Sequence, residues 1–195
     1  FEYSHGEAGR PISMTRSIPL LHITGNKINP STNFVQRFRP QSANSESGNS
    51  QSSLSFPVGE ILSQIQSKTK VPIFLPSQLP FSGDIYLESR VETQGYSVVM
   101  NSIPNCSGTP CYIGSISAKR GGEPAQPPIR GFRSEFKTIQ LAGRTQGVFS
   151  NGCGAYCTAL VEWQYRGVLY RVTMKNGQEE MLINIANSAI EAGPR

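Results

Sequence analysis

From Phe56 onward the hydrophobic positions follow two different periods. Val58, Ile61, Leu62 and Ile65 fall at i, i+3, i+4 and i+7, which is the apolar stripe of an amphipathic helix. Ser55 is placed to cap it, Pro57 suits its first turn, and Lys68 and Lys70 lie at the carbonyl end, where the helix dipole favours cations. The pattern predicts a helix near residues 57–69. Prolines at positions 72, 76 and 80 then forbid regular helix or central strand, so 71–80 reads as an extended segment with a strand-like core at Ile73–Leu75.

The period now falls to two. Over Asp84–Thr93 the residues Ile85, Leu87 and Val91 share one face, and Glu88, Arg90 and Glu92 the other. Tyr96–Met100 alternates through Tyr96, Val98 and Met100, and Cys111–Ala118 puts Tyr112 and Ile116 on one side. Lys119–Arg130 is rich in Gly and Pro and reads as a loop. Two hairpins follow, Glu135–Leu141 with Thr145–Phe149, and Tyr156–Tyr165 with Val168–Lys175 around Arg166-Gly167. A second helix is predicted near 177–191. Asn176 and Glu179 outline a capping box, Leu182, Ile185, Ala186, Ala189 and Ile190 make one apolar face, and Gly193-Pro194 stops it. A helix, an antiparallel meander and a second helix predict an α+β fold of about five to seven strands, with both helices packed on one face.

Residues 1–53 lack this periodicity and end in a Ser/Asn/Gln-rich stretch from Gln41 to Ser53. Such a composition buries too little apolar surface to offset its ordering entropy. The expected organisation is an irregular tail and linker over 1–53, with Ile18–Ile23 as a candidate edge strand, followed by one domain over 54–195.

Composition narrows the function classes. In 195 residues the net charge is +5, with 16% charged and 37% hydrophobic residues, and the cations stand singly or in pairs. A stripe of Lys and Arg beside stacking aromatics is missing, so a nucleic-acid partner is not expected. No apolar run is long enough to span a bilayer as a helix. Both histidines, His5 and His22, precede the periodic region, and Asp84 is the only Asp in the chain. A Ser-His-Asp or Cys-His arrangement would therefore have no base within the domain, and no metal or cofactor motif is present. Gly121-Gly122 after Lys119-Arg120 offers only a weak phosphate-turn signal.

The cysteines carry more. Cys106 and Cys111 enclose Ser-Gly-Thr-Pro, and Cys153 and Cys157 enclose Gly-Ala-Tyr. Four cysteines allow three connectivities, of which the local one (106–111, 153–157) is geometrically easiest. The rival readings are free buried thiols and a zinc site, the latter needing tighter knuckle spacing than these pairs offer. Disulfides persist in oxidising compartments, so an extracytoplasmic location is expected: periplasmic, secreted or envelope-associated. A start at Phe1 without a charged and apolar leader fits a signal peptide already removed, or a chain that begins downstream of one.

Two groups of residues are candidates for binding. Trp163, Tyr165 and Tyr170 gather with Tyr156 around one hairpin, where they suit either core packing or a stacking platform for a sugar or peptide. Lys119 and Arg120 open the Gly/Pro-rich loop, a candidate contact surface. Among carboxylates, Glu88 and Glu92 stand roughly 13 Å apart along one strand, too far for a glycosidase pair, whereas Glu135 and Glu162 are a candidate pair across strands.

The series Cys106…Cys111-Tyr-Ile-Gly, Gly152-Cys-Gly-Ala-Tyr-Cys157, Val161-Glu-Trp-Gln-Tyr-Arg-Gly-Val-Leu-Tyr170 and Ile185-Ala-Asn-Ser-Ala-Ile190, preceded by Val71-Pro-Ile-Phe-Leu-Pro-Ser-Gln-Leu-Pro80, resembles an uncharacterised group of exported proteins common in cyanobacteria. More distantly, the Trp-x-x-x-Gly-x-x-Tyr hairpin with its terminal helix is similar to small extracytoplasmic domains of bacterial envelope and anti-sigma-type proteins. The resemblance covers about residues 57–193 and implies fold and compartment, with no catalytic residue to carry over. The expected function is a non-catalytic exported module that binds or assembles on an envelope protein or polysaccharide. The alternative is a hydrolase of envelope polysaccharide acting through glutamates.

Overall fold

The computed structural model describes residues 35–38, 54–106, 108–127 and 134–195, all within the compact unit Ser31–Arg195. Its strands are β1 (Val35–Phe38), β2 (Leu54–Ser55), β3 (Gln78–Leu79), β4 (Ile85–Glu92), β5 (Gly95–Asn101), β6 (Tyr112–Arg120), β7 (Ser134–Gln140), β8 (Gln146–Cys153), β9 (Cys157–Tyr165) and β10 (Val168–Lys175). Its helices are α1 (Val58–Gln66) and α2 (Glu179–Ala192). The fold is α+β: an antiparallel sheet in the order β1-β4-β5-β6-β10-β9-β8-β7, with the short β2–β3 pair beside it.

The order is not a plain meander. β6 pairs with β10, and β7 lies at the far edge, so the chain leaving Arg120 must cross the sheet to begin β7. Residues 121–127 make the first part of that crossing over the face opposite the helices. A connection that joins strands running the same way cannot be a tight hairpin.

The predicted alternation holds through the sheet except at Tyr112. The register shift between Met100 and Asn101 turns it to the polar face beside Ser115 and Thr173, on the opposite side from Ile116 rather than on the same side as predicted. Ile85 and Leu87, Tyr96, Val98 and Met100, Ile116 and Ala118, Val161 and Trp163, and Tyr170, Val172 and Met174 are buried on one face. Ile61 and Ile65 of α1 and Leu182, Ile185, Ala186 and Ala189 of α2 cover that face. Lys137 also points there, and its ammonium joins Glu135 (2.9 Å) to Glu179 in the first turn of α2 (2.6 Å).

Several boundaries differ from the sequence expectations. α1 ends at Gln66 rather than near 69; Pro72 forces the preceding chain to extend, and Lys70 N–H bonds Thr93 O (3.0 Å), so the lysines lie beyond the helix. No side chain caps α1, and Ser55 belongs to β2. α2 starts at Glu179, with Gln178 as its cap residue. Asn176 does not cap it: at φ 52° it turns the chain out of β10, and its side-chain oxygen accepts the Cys157 N–H (3.1 Å). β8 continues to Cys153, past the predicted end at Phe149, because backbone pairing with β9 carries polar residues 150–152 along. Within the expected irregular tail, Val35–Phe38 forms β1 on the edge of β4. Ile18–Ile23 and the 41–53 linker lie outside the described residues.

The proline-rich segment is held by the sheet beneath it. Tyr170 Oη donates to Pro72 O (2.8 Å), and Tyr96 Oη donates to Phe74 O (2.9 Å) while accepting the Phe74 N–H (3.0 Å). The chain end also pairs with it, through Arg195 N–H to Ile73 O (3.1 Å). A segment with few N–H donors of its own thus has its buried backbone groups satisfied from outside.

Burial raises the pKa of Tyr96 and of Tyr170 well above the ordinary phenol range, the desolvated phenolate being the disfavoured form. In the unfolded chain both phenols ionise at the ordinary tyrosine value of about 10, whereas in the folded chain they hold their protons. The unfolded state therefore binds fewer protons above pH ~10, and stability falls by about 1.4 kcal/mol per pH unit for each tyrosine. Below pH ~10 that contribution is fully present. Ultraviolet titration should show two phenols ionising only as the near-ultraviolet dichroism of the native state is lost. Their ionisation with the fold intact would contradict the buried placement.

Candidate functional site

The face of the sheet away from the helices is polar, and its cross-strand rows follow from the register. One row reads Arg90, Ser97, Ser117, Arg171, Glu162, Val148 and Thr138; the next reads Glu88, Val99, Ser115, Thr173, Leu160, Ser150 and Phe136. Residues 121–125 lie over Glu162 and Leu169, with a hollow of about 670 Å³ on the β5–β6 side and one of about 530 Å³ on the β8 side.

The loop is fastened at a buried carboxylate. Glu162 is only 2% exposed. Its Oε2 accepts from Arg171 Nε (2.8 Å) and stands 2.7 Å from the second guanidinium nitrogen, while its Oε1 accepts the Ala125 N–H. Arg171 also donates to Glu123 O (3.5 Å).

A third hollow, of about 470 Å³, opens at the other end of this face. Its floor is Glu88, Val99, Asn101, Tyr112, Thr158 and Thr173. One wall is the loop closed by Cys106–Cys111, through Cys106, Gly108 and Thr109; the opposite wall is Tyr156, in the turn closed by Cys153–Cys157. Both cysteine pairs are thus local disulfides, and they flank the same cavity. The pairing of β6 with β10 brings these hairpin ends together, although they are distant in sequence. Lys175 links the walls: its ammonium donates to Thr109 O (2.8 Å) and lies 5.6 Å from the centre of the Tyr156 ring.

The polar groups of this cavity are held in set positions. Tyr112 Oη lies 3.3 Å from both Ser115 Oγ and Thr173 Oγ1, which are 2.6 Å apart. Glu88, 8% exposed, accepts Arg90 through one oxygen, at 3.2 Å and 3.3 Å. The register shift between Met100 and Asn101 ends the regular β5–β6 ladder and sets Asn101 opposite Tyr112. Asn101 is 5% exposed, yet its amide makes no hydrogen bond among the described residues.

The candidates named from sequence fall elsewhere. Trp163 is 3% exposed and Tyr170 1%; their rings stack with centroids 5.4 Å apart beneath α2 and the 71–80 segment. Phe74 meets Trp163, Tyr165 and Tyr170 edge-on, so these aromatics build the core, with Tyr165 at its partly exposed margin. Of that group only Tyr156 reaches the cavity. Lys119 is exposed and lines the 670 Å³ hollow, and Arg120 is exposed at the end of β6. Gly121 N–H is taken by Gly167 O (3.0 Å) and Gly122 N–H by Lys119 O (3.3 Å), so neither amide is free to hold a phosphate.

Glu135 and Glu162 do not come together. They project from opposite faces of the sheet, since Glu162 aligns with Val148 and Thr138, and Glu135 with Asn151 on the helix side. Glu135 is instead engaged by Lys137, whose pKa its carboxylate raises. Glu92 and Glu123 both line the 670 Å³ hollow, but both are exposed. Among the described residues no three His, Cys, Asp or Glu side chains gather closely enough to hold a metal ion, and no helix is long and apolar enough to cross a membrane.

Compared with known proteins, the chain matches no protein-family model, no curated protein and no solved structure.

Proposed function

We propose that this chain is a non-catalytic exported binding module that attaches to a component of the cell envelope through the open face of its sheet. The observation that carries this reading is the convergence of both disulfide-closed loops on one polar cavity. A disulfide across so short a loop gives about 2 kcal/mol in the chain-entropy account; its larger effect is to fix the shape of what it closes. Two such closures on opposite walls amount to a preorganised site, and preorganisation lowers the entropy cost of binding.

The disulfides are compatible with an oxidising compartment. The resemblance to the exported cyanobacterial group supports the same location, and the proposal places the chain with that group. The hydrolase alternative loses its named pair, because Glu135 and Glu162 face opposite ways.

Co-sedimentation of the purified chain with the insoluble envelope fraction of its native host tests the proposal. Thr158 is a half-buried residue on the cavity floor, so Thr158→Trp fills the space without entering the core. The wild-type chain should sediment, and the Thr158→Trp variant should stay in solution with an unchanged melting temperature. Equal partition of the two would refute the site. Release of soluble sugar by the wild-type chain would restore the hydrolase.

A further inference from the structure

We infer that the cavity between the disulfide-closed loops binds one uncharged sugar unit of a polysaccharide chain, with Asn101 and Glu88 reading its neighbouring hydroxyls. This rests on the binding reading above and names its ligand class. Asn101 carries the inference. The residue is 5% exposed and its side chain makes no hydrogen bond among the described residues, yet its amide still opens to solvent at the cavity, where a ligand can take its donors and acceptor. Asn101 lies on the cavity floor, and so does Glu88, which uses one carboxylate oxygen for Arg90 and has the other without a partner among the described residues. A planar amide beside a planar carboxylate offers donors and acceptors together, which suits vicinal hydroxyls that both donate and accept.

Charge argues for an uncharged ligand. Glu88 is matched by Arg90, and the Lys175 ammonium is spent on the carbonyls of Thr109 and Pro110. An anion would meet the Glu88 carboxylate, and a cation would compete with Arg90 for it. A polyol adds hydrogen bonds to the spare valences without breaking either set. The volume, about 470 Å³, lies within the range of small-ligand sites. Tyr156, half-buried on the wall, presents an aromatic surface to the apolar side of a sugar ring. The cavity also shares Arg90 and Val99 with the 670 Å³ hollow, so a chain held at this unit can continue along β5 and β6.

The test uses the intact, oxidised chain on an array of immobilised oligosaccharides. Uncharged members built of glucose, galactose, mannose, xylose and N-acetylglucosamine stand beside uronic-acid and sulfated members. Binding is expected on uncharged members, unchanged between about 50 mM and about 0.5 M NaCl, because no ion pair forms with the ligand. Asn101→Leu, Glu88→Gln and Tyr156→Ala should each weaken it about tenfold or more. Tyr156→Ala alters only a wall residue, so it remains informative if the Asn101 variant fails to fold. Binding confined to anionic members and lost in salt would overturn the uncharged-sugar assignment. An empty array, with the chain still sedimenting on envelope and Thr158→Trp still released, would overturn the sugar ligand and leave the site standing. An empty array with no sedimentation would overturn both.

Discussion

Trp163→Ala is expected to destabilise the domain by about 3–5 kcal/mol, the range for truncating a large buried aromatic. That is a large share of the roughly 5–15 kcal/mol by which domains are stable. The indole is stacked on Tyr170 at 5.4 Å and met edge-on by Phe74 at 6.4 Å. Its removal opens a void beside Tyr170, which together with Tyr96 grips the 71–80 segment, and α2 packs on the same face of the sheet. Because Tyr170 also holds Pro72 O, loosening the stack frees a backbone contact as well as apolar area. Trp163→Phe keeps a ring in the stack and should recover more than half of the loss. Trp163 is the only tryptophan, so its emission reports on this place alone and should be blue-shifted and protected from iodide. Red, quenchable emission together with an unchanged denaturation midpoint would remove Trp163 from the core.

The stacking of Trp163 on Tyr170 was legible because a local turn fixes it. Arg166 and Gly167, both at positive φ, close a two-residue hairpin, so Tyr165 must face Val168 and Trp163 must face Tyr170. The same holds for β4 with β5 and for the apolar face of α2. Parity within a strand is a local property and reads directly from the chain.

What joins strands distant in sequence does not. Glu135 and Glu162 belong to strands separated by β8, and their faces depend on the registers on both sides of it. A one-residue shift in either register would have reversed the answer. The pairing of β6 with β10 likewise has no local signal, and it alone brings the two cysteine loops to one cavity. Glu88 was readable only as a charge on a wet strand face, and Asn101 only as the polar end of a strand. The signal that could have raised them is their position next to a cysteine-closed loop: Asn101 directly follows the apolar run Val98–Met100 and precedes the Cys106–Cys111 turn.

Arg171→Ala should cost about 3–5 kcal/mol, more than most half-exposed arginines, because it leaves the Glu162 carboxylate buried without its counter-charge. The carboxylate side chain is only 1% exposed, whereas the arginine is 38% exposed. The loss therefore falls on the acid, which cannot rotate into water beneath the loop that covers it. Replacing both partners, as Arg171→Met with Glu162→Leu, should return much of the stability, since an apolar pair of similar volume carries no desolvation penalty. The two-variant cycle then gives a strong coupling energy, as expected for groups in direct contact. The loop supplies a readout that a generic loss of packing would not move. Glu162 accepts the Ala125 N–H, and Arg171 donates to Glu123 O, so the doubly apolar protein should be stable yet cleaved faster by protease within residues 121–127. A doubly apolar variant no more stable than Arg171→Ala would mean that the ion pair is not what the single substitution disrupts. A variant of wild-type stability whose loop resists protease as before would mean that Glu162 does not fasten it.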